Sequence, residues 1–284
     1  MEPRDRPLSQ EQVTEAWERS VRAQERADRE FRLAKRYEDL VASTRDERYV
    51  RLGLLHRSTA SRHLVAAELL AGYVRRAAAS QRAGGQAPPF MAGVAEACGA
   101  GSVAVTLVDA QQNQVATAYS DQPAREAQDL EYVLGEGPAR DSVLGRSPVV
   151  ATGAALATRW PGYGPALAAL GFGQVVAVPL QSTNSCIGAL AVFSASSAVA
   201  STPAVSKVAE ALTRSVFLGQ DAVPGLFGDI DHRAEVHQAA GMVAVHLGCR
   251  IADALELVKA RSFADARPIG DIAHDIVNGH LKLG

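Results

Sequence analysis

Apolar positions along the 284-residue chain recur with different periods in three stretches, and each period predicts a different kind of element. Between residues 10 and 82, which contain no proline, Ala16, Ala23, Ala27, Ala34, Tyr37 and Val41 follow spacings of three, four and seven. Those spacings keep one helical face toward a partner. They predict two helices, about 8–42 and 46–82, arranged as a hairpin or as one kinked rod. Ser43 with Asp46, or Thr44 with Glu47, has the spacing of an N-terminal capping box. The segment reads either as a solvated helical extension or as a dimerisation or signalling arm.

"AGGQAPP" (83–89) interrupts any regular element. From residue 102 the period changes to two, in "SVAVTLVD", "NQVATAYS", "GQVVAVPLQS" and "CIGALAVFS". The short apolar "SPVVA" lies among them, with helical stretches near 124–134 and 163–170. Strands joined by few long crossovers predict a mostly antiparallel sheet with helices packed on it, an α+β domain. The helix that follows carries Val205, Val208, Ala209, Leu212 and Val216 on one face, and "DAVPGLFGD" breaks the chain again.

Residues 230–281 return to helical spacing in three short helices. Val236, Ala240, Val243 and Leu247 line the first, Ile251, Ala254, Leu255 and Val258 the second, and Ile269, Ile272 and Ile276 the third. Gly248 ends the first helix and Pro268 suits the opening of the third. A bundle this small buries too little of its own chain, so it is expected to lean on a partner subunit or on the preceding helix.

Composition narrows the function classes. Hydrophobic residues make up 47% and aromatics only 5%, so aliphatic side chains do most of the packing. No apolar run approaches the roughly 20 residues of a membrane span. The N-terminus "MEPRDRPLSQEQ" has no apolar signal region, so a cytoplasmic protein is expected. Basic and acidic side chains number 17 and 13 in residues 1–87, 6 and 10 in 88–228, and 6 and 8 in 229–284. None of these has the basic excess that announces nucleic-acid binding by itself.

Candidate chemistry is sparse. Cys98, Cys186 and Cys249 are odd in number and far apart, which argues against a disulfide framework. Residues 88–228 contain no histidine, which removes Ser-His-Asp and Cys-His catalysis and His-ligated metal from that segment. "LGEGP" (134–138) lacks the Lys-Ser/Thr of a phosphate loop and reads as a tight turn. His246 and Cys249 are two ligands without a second pair, so no metal site and no cofactor is expected.

Two longer patterns resemble known families. "LGEGPARDSVLGRSPVV", "ATRWPGYGPALAALGFGQVVAVPLQ" and "CIGALAVFS" resemble the actinobacterial form of the GAF sensor domain across about 95–195, with Gly135, Gly137, Pro138, Trp160, Pro161, Gly188 and Leu190 in place. "VHQAAGMVAVHLG" and "ADALELVKARSFADARPIGDIAHDIV" look like an ANTAR domain, the three-helix RNA-binding module of transcription antiterminators. After the helical extension or coiled coil that the periodicity predicts over 1–87, they imply a GAF-type antiparallel sheet with flanking helices over 88–220 and a three-helix ANTAR bundle over 229–284.

The resemblance further implies a non-enzymatic regulator in which ANTAR dimers hold tandem RNA stem-loops in nascent transcripts and promote antitermination. The positions it carries over as RNA contacts are Gln238 and Gly241 in the first helix, Lys259 and Arg261 in the second, and Arg267 at the following turn, with Arg233 and His237 one turn earlier. Lys and Arg would meet phosphates, and planar Arg could stack on a base. Ala239, Ala240 and Gly241 would allow close approach of RNA or another helix. Arg140, Asp141, Arg159 and Tyr163 are the polar candidates for an unknown small ligand or protein at the GAF domain. The chain departs from the ANTAR pattern at Ala240, where a lysine is common, at Lys259, where an arginine is common, and at Arg250, where a helix cap is common. Those departures and the acidic balance sustain an alternative, a protein-interaction scaffold whose ANTAR-like bundle no longer binds RNA. An enzymatic reading through clustered cysteines is disfavoured by the separation of Cys98 and Cys186.

Overall fold

The computed structural model describes residues 10–82, 90–182, 185–194, 202–217, 226 and 233–283. The expected breaks at 83–89 and around 220–229, and the domain boundaries placed there, lie outside those residues apart from Leu226. The chain divides into two compact units, one of residues 1–99, 180–185 and 201–229, the other of 100–179, 186–200 and 230–284.

In the first unit, α1 (Gln10–Thr44) and α2 (Glu47–Arg82) pack along their length as the hairpin, not as the rod. Ala16, Ala23, Ala27 and Ala34 are fully buried in the seam, since the small methyl lets the two backbones approach closely. His56 stacks on Tyr37 with centroids 5.3 Å apart and meets Glu30 at 2.6 Å. The capping box does not form. The Ser43 and Thr44 hydroxyls donate back to the Leu40 carbonyl at 3.1 and 2.7 Å, Arg45 turns through a left-handed conformation (φ 56°), and Asp46 accepts from the Arg48 N–H at 2.9 Å. α3 (Phe90–Ala97) sets Phe90 edge-on to Tyr73, and α8 (Thr202–Ala211), continued as a π-helical turn Leu212–Phe217, lies against α2 through Arg62 and Glu210 at 2.8 Å.

The second unit holds a five-stranded antiparallel sheet in the order β2-β1-β5-β4-β3, from β1 (Ser102–Val108), β2 (Gln114–Tyr119), β3 (Val149–Thr152), β4 (Gln174–Gln181) and β5 (Cys186–Ser194). Gly188 of β5 pairs with Leu107, and a Cβ there would sit 1.9 Å from the Thr106 carbonyl oxygen, so only glycine allows this register. Helices α4 (Gln122–Leu134), α5 (Pro138–Gly145), α6 (Ala154–Arg159) and α7 (Tyr163–Ala169) flank the sheet. Trp160, Tyr163, Leu167, Phe172 and Phe193 fill the core beneath them.

The sequence pattern predicts no helix at α5 or α6, and the "LGEGP" turn explains the first. Glu131 and Glu136 each cap a helix. Glu131 accepts from the Arg140 N–H at 2.6 Å at the start of α5, and Glu136 accepts from Gly162 and Tyr163 N–H at 2.6 and 2.8 Å at the start of α7. A Cβ on Gly137 would lie 2.6 Å from the Glu131 carboxyl carbon, so the glycine makes room for the cap. The same unit carries the C-terminal bundle of α9 (Ala234–Leu247), α10 (Ile251–Asp265) and α11 (Ile269–Val277). Among the described residues no helix is long and apolar enough to cross a membrane.

Candidate nucleic-acid interface

The bundle core contains Val236, Ala239, Ala240, Val243, Ala254, Val258, Ile269, Ile272 and Ile276, as the helical spacing requires. Two expected core positions are corrected. Leu247 and Ile251 are exposed, because they flank the α9–α10 turn at Gly248, where the helices part. The core is completed from outside the bundle by Tyr132 of α4, with Val133 packed beside it. The support that so small a bundle needs is therefore provided by the sheet domain's own helix.

Tyr132 organises two of the predicted RNA contacts. Arg233 precedes α9 in a left-handed conformation (φ 48°), and its side chain is fully buried. Its guanidinium lies over the Tyr132 ring at 4.8 Å and pairs with Asp129 of α4 at 2.7 Å. The Lys259 ammonium lies over the same ring at 4.7 Å and meets Glu256 at 3.1 Å, with 15% of its side chain exposed. Cation–ring contacts strengthen as water is excluded, and a buried charge must find such partners.

The remaining candidates face outward. Arg261 pairs with Asp265 at 2.7 Å and Arg267 with Asp275 at 2.8 Å, the two arginine side chains being 43% and 42% exposed. The Arg267–Asp275 hydrogen bond raises the arginine's affinity for its proton and lowers that of the aspartate. Ser262 fixes the turn between α10 and α11 by donating to the Arg267 carbonyl at 2.7 Å. His237 and Gln238 are exposed on α9. Gly241 is half-buried, and a Cβ there would meet nothing within 4 Å, so its smallness serves no contact inside the described residues. Ala239 and Ala240 belong to the bundle core, where their small side chains face the other helices and not a surface open to RNA. Arg250 caps α10 with no side-chain bond to its backbone; it makes a double contact with Asp253, at 3.0 Å each.

The four ligand candidates of the sheet domain separate. Asp141 and Arg159 pair at 2.9 Å, and Asp141 also accepts from the Trp160 indole N–H at 3.2 Å. Tyr163 is buried in the core edge-on to Trp160, and burial raises its phenol well above the ordinary value, so it lines no open site. Arg140 lines a cavity of about 420 Å³ together with Glu131, Tyr132, His237, Leu255 and Lys259. Burial lifts the Glu131 carboxyl to about 8 against the opposing pull of the Arg140 N–H.

Asp129, Glu131 and Tyr132 escaped sequence reasoning. Their available signal was the sequence "REAQDLEYVLG", where polar and aromatic residues appear on faces that a one-sided surface helix would not need. Cys98 is buried with its thiol raised to about 12, a poor nucleophile, and the three cysteines are unpaired. Among the described residues no cluster of three or more His, Cys, Asp or Glu side chains is placed to hold a metal ion. Comparison with known proteins finds no match: no family model, curated protein or solved structure is significantly similar to this chain.

Proposed function

We propose that the chain is an RNA-binding transcription regulator. In this reading the C-terminal bundle, as an ANTAR-type module acting in a homodimer, takes tandem stem-loops of a nascent transcript and favours the antiterminator. The GAF-type sheet domain senses a small ligand or partner in the cytosol. The observation that carries the reading is the pair Arg261 and Arg267, each exposed and paired with a half-buried carboxylate. Such exposed pairs contribute little, so RNA phosphates can replace Asp265 and Asp275 at small cost. Gln238 supplies an exposed amide suited to base edges.

The test is titration of the full chain with a tandem stem-loop RNA and a scrambled-loop control across a salt series. Loop-dependent binding that weakens with salt, and weakens about tenfold or more in Arg261→Ala/Arg267→Ala, is expected. Equal affinity for both RNAs in folded protein would overturn the reading. The alternative, an interaction scaffold, is favoured by a different observation. Met242, Val245, Leu247, Ile251, Leu257 and Phe263 are large apolar side chains exposed on the bundle. Salt-insensitive self-association through that surface, with no RNA retention, would favour it.

A further inference from the structure

Two of the four basic side chains assigned to RNA are withdrawn and two are offered. Arg233 and Lys259 are 0% and 15% exposed, against 43% and 42% for Arg261 and Arg267. The division follows one element, since the withdrawn pair are the two that meet α4. What α4 presents is an aromatic face, Tyr132, to both, and a carboxylate three residues earlier, Asp129, to Arg233. Arginine reads single-stranded RNA through the same two chemistries, a planar ring to stack on and an anion to pair with.

We infer that α4 is an intramolecular nucleotide surrogate, Tyr132 standing in for a base and Asp129 for a phosphate, so that the sensor helix and RNA compete for Arg233 and Lys259. The inference rests on the RNA-binding reading above and adds the regulation of that site. The Asp129–Arg233 pair is buried, so salt screens it far less than the exposed pairs at Arg261 and Arg267. Apparent RNA affinity is then the intrinsic affinity reduced by the fraction of molecules in which α4 is undocked. Because the 420 Å³ cavity is lined by both Tyr132 and Lys259, a molecule bound there would act on that equilibrium.

The experiment compares the full-length wild type with Asp129→Asn/Tyr132→Leu, which removes the charge and the ring while keeping an apolar side chain in the bundle core. Both are titrated with a tandem stem-loop RNA at several salt concentrations. The double variant is expected to bind at least about tenfold more tightly. Its salt dependence should steepen by up to about two phosphate contacts, roughly 0.7–0.9 in log–log slope for each. Measurable wild-type binding with unchanged affinity and slope in the folded variant overturns the masking and leaves the RNA reading standing. No loop-dependent binding by either protein, with matching helicity, overturns the RNA reading and the masking with it. Wild-type hydrogen exchange gives a second measurement free of the variant's folding. Saturating RNA should accelerate exchange across residues 122–134, and unchanged protection of 122–134 overturns the inference.

Discussion

The α1–α2 hairpin buries alanines and leaves its ion pairs at the rim, whereas α4 buries the polar groups themselves. In the hairpin, Ala16, Ala23, Ala27 and Ala34 are sealed and contacts such as His56–Glu30 keep partial access to water. On α4, Gln128, Asp129, Glu131 and Tyr132 are all buried, and each serves a different neighbour. Gln128 meets the Thr106 hydroxyl, Asp129 holds Arg233, Glu131 caps α5, and Tyr132 completes the bundle core. The difference teaches how one secondary structure can serve two purposes. A seam of close-packed methyls has one good arrangement and little dependence on solution conditions. A helix joined to its neighbours by buried charge and hydrogen bonds depends on every partner, so protonation or a competing ligand can shift it.

The sharpest way to break that contrast is Arg233→Ala. It leaves Asp129 buried with Arg125 3.9 Å away, so urea unfolding should show a loss of about 3–5 kcal/mol. Adding Asp129→Asn should recover part of it, and a loss under about 1 kcal/mol in Arg233→Ala would mean that α4 carries no buried-charge dependence. Glu131 makes the second test, through pH. Its folded value near 8 lies above the ordinary 4.5, so between those values the folded chain keeps a proton that the unfolded chain has released. Stability should therefore fall as pH rises from about 4.5 to 8 and level off above, by an amount on the order of a few kcal/mol. Glu131→Gln keeps an acceptor for the Arg140 N–H and should flatten that window in thermal melts at pH 5 to 8.5. An unchanged slope would assign the pH dependence to another group.

The same contrast explains what could be read from the chain. The hairpin seam was legible because it is periodic and its partner is the neighbouring helix, and the strands of the sheet were legible from their alternation. α5 was hidden because Gly-Glu-Gly-Pro has turn composition, while the cap that allows a helix to start at Pro138 comes from Glu131 on the preceding element. The candidate basic residues of the bundle could be named from their pattern, but not their exposure. Whether Arg233 and Lys259 face water is decided by Tyr132, and for Arg233 by Asp129 as well, more than a hundred positions earlier, and no local period encodes such a contact. Arg140 and Tyr163 part from the Asp141–Arg159 pair for a similar reason, since sequence proximity to a turn says nothing about which side of the core a residue faces.

Tests in the hairpin should be smaller and independent of pH. Ala27→Leu forces three extra carbons into a seam with no exposed surface, and overpacking of this kind costs about 1–3 kcal/mol. The same loss at pH 5 and pH 8 is expected; a pH-dependent loss would place titrating groups in the seam and erase the distinction from α4. Leu54→Gln gives the smallest effect and asks what lies beyond the seam. Leu54 is 63% exposed on α2, beside Leu55 at 60%, so in a solvated hairpin the change should lie within about 0.5 kcal/mol of zero. That result separates the inward alanine face, which carries the stability, from an outward face that water covers. A larger loss that grows with protein concentration would instead mean that a second chain covers Leu54, since only a partner that binds the folded state makes stability depend on concentration. The hairpin would then share with α4 the property of being stabilised by what docks on it.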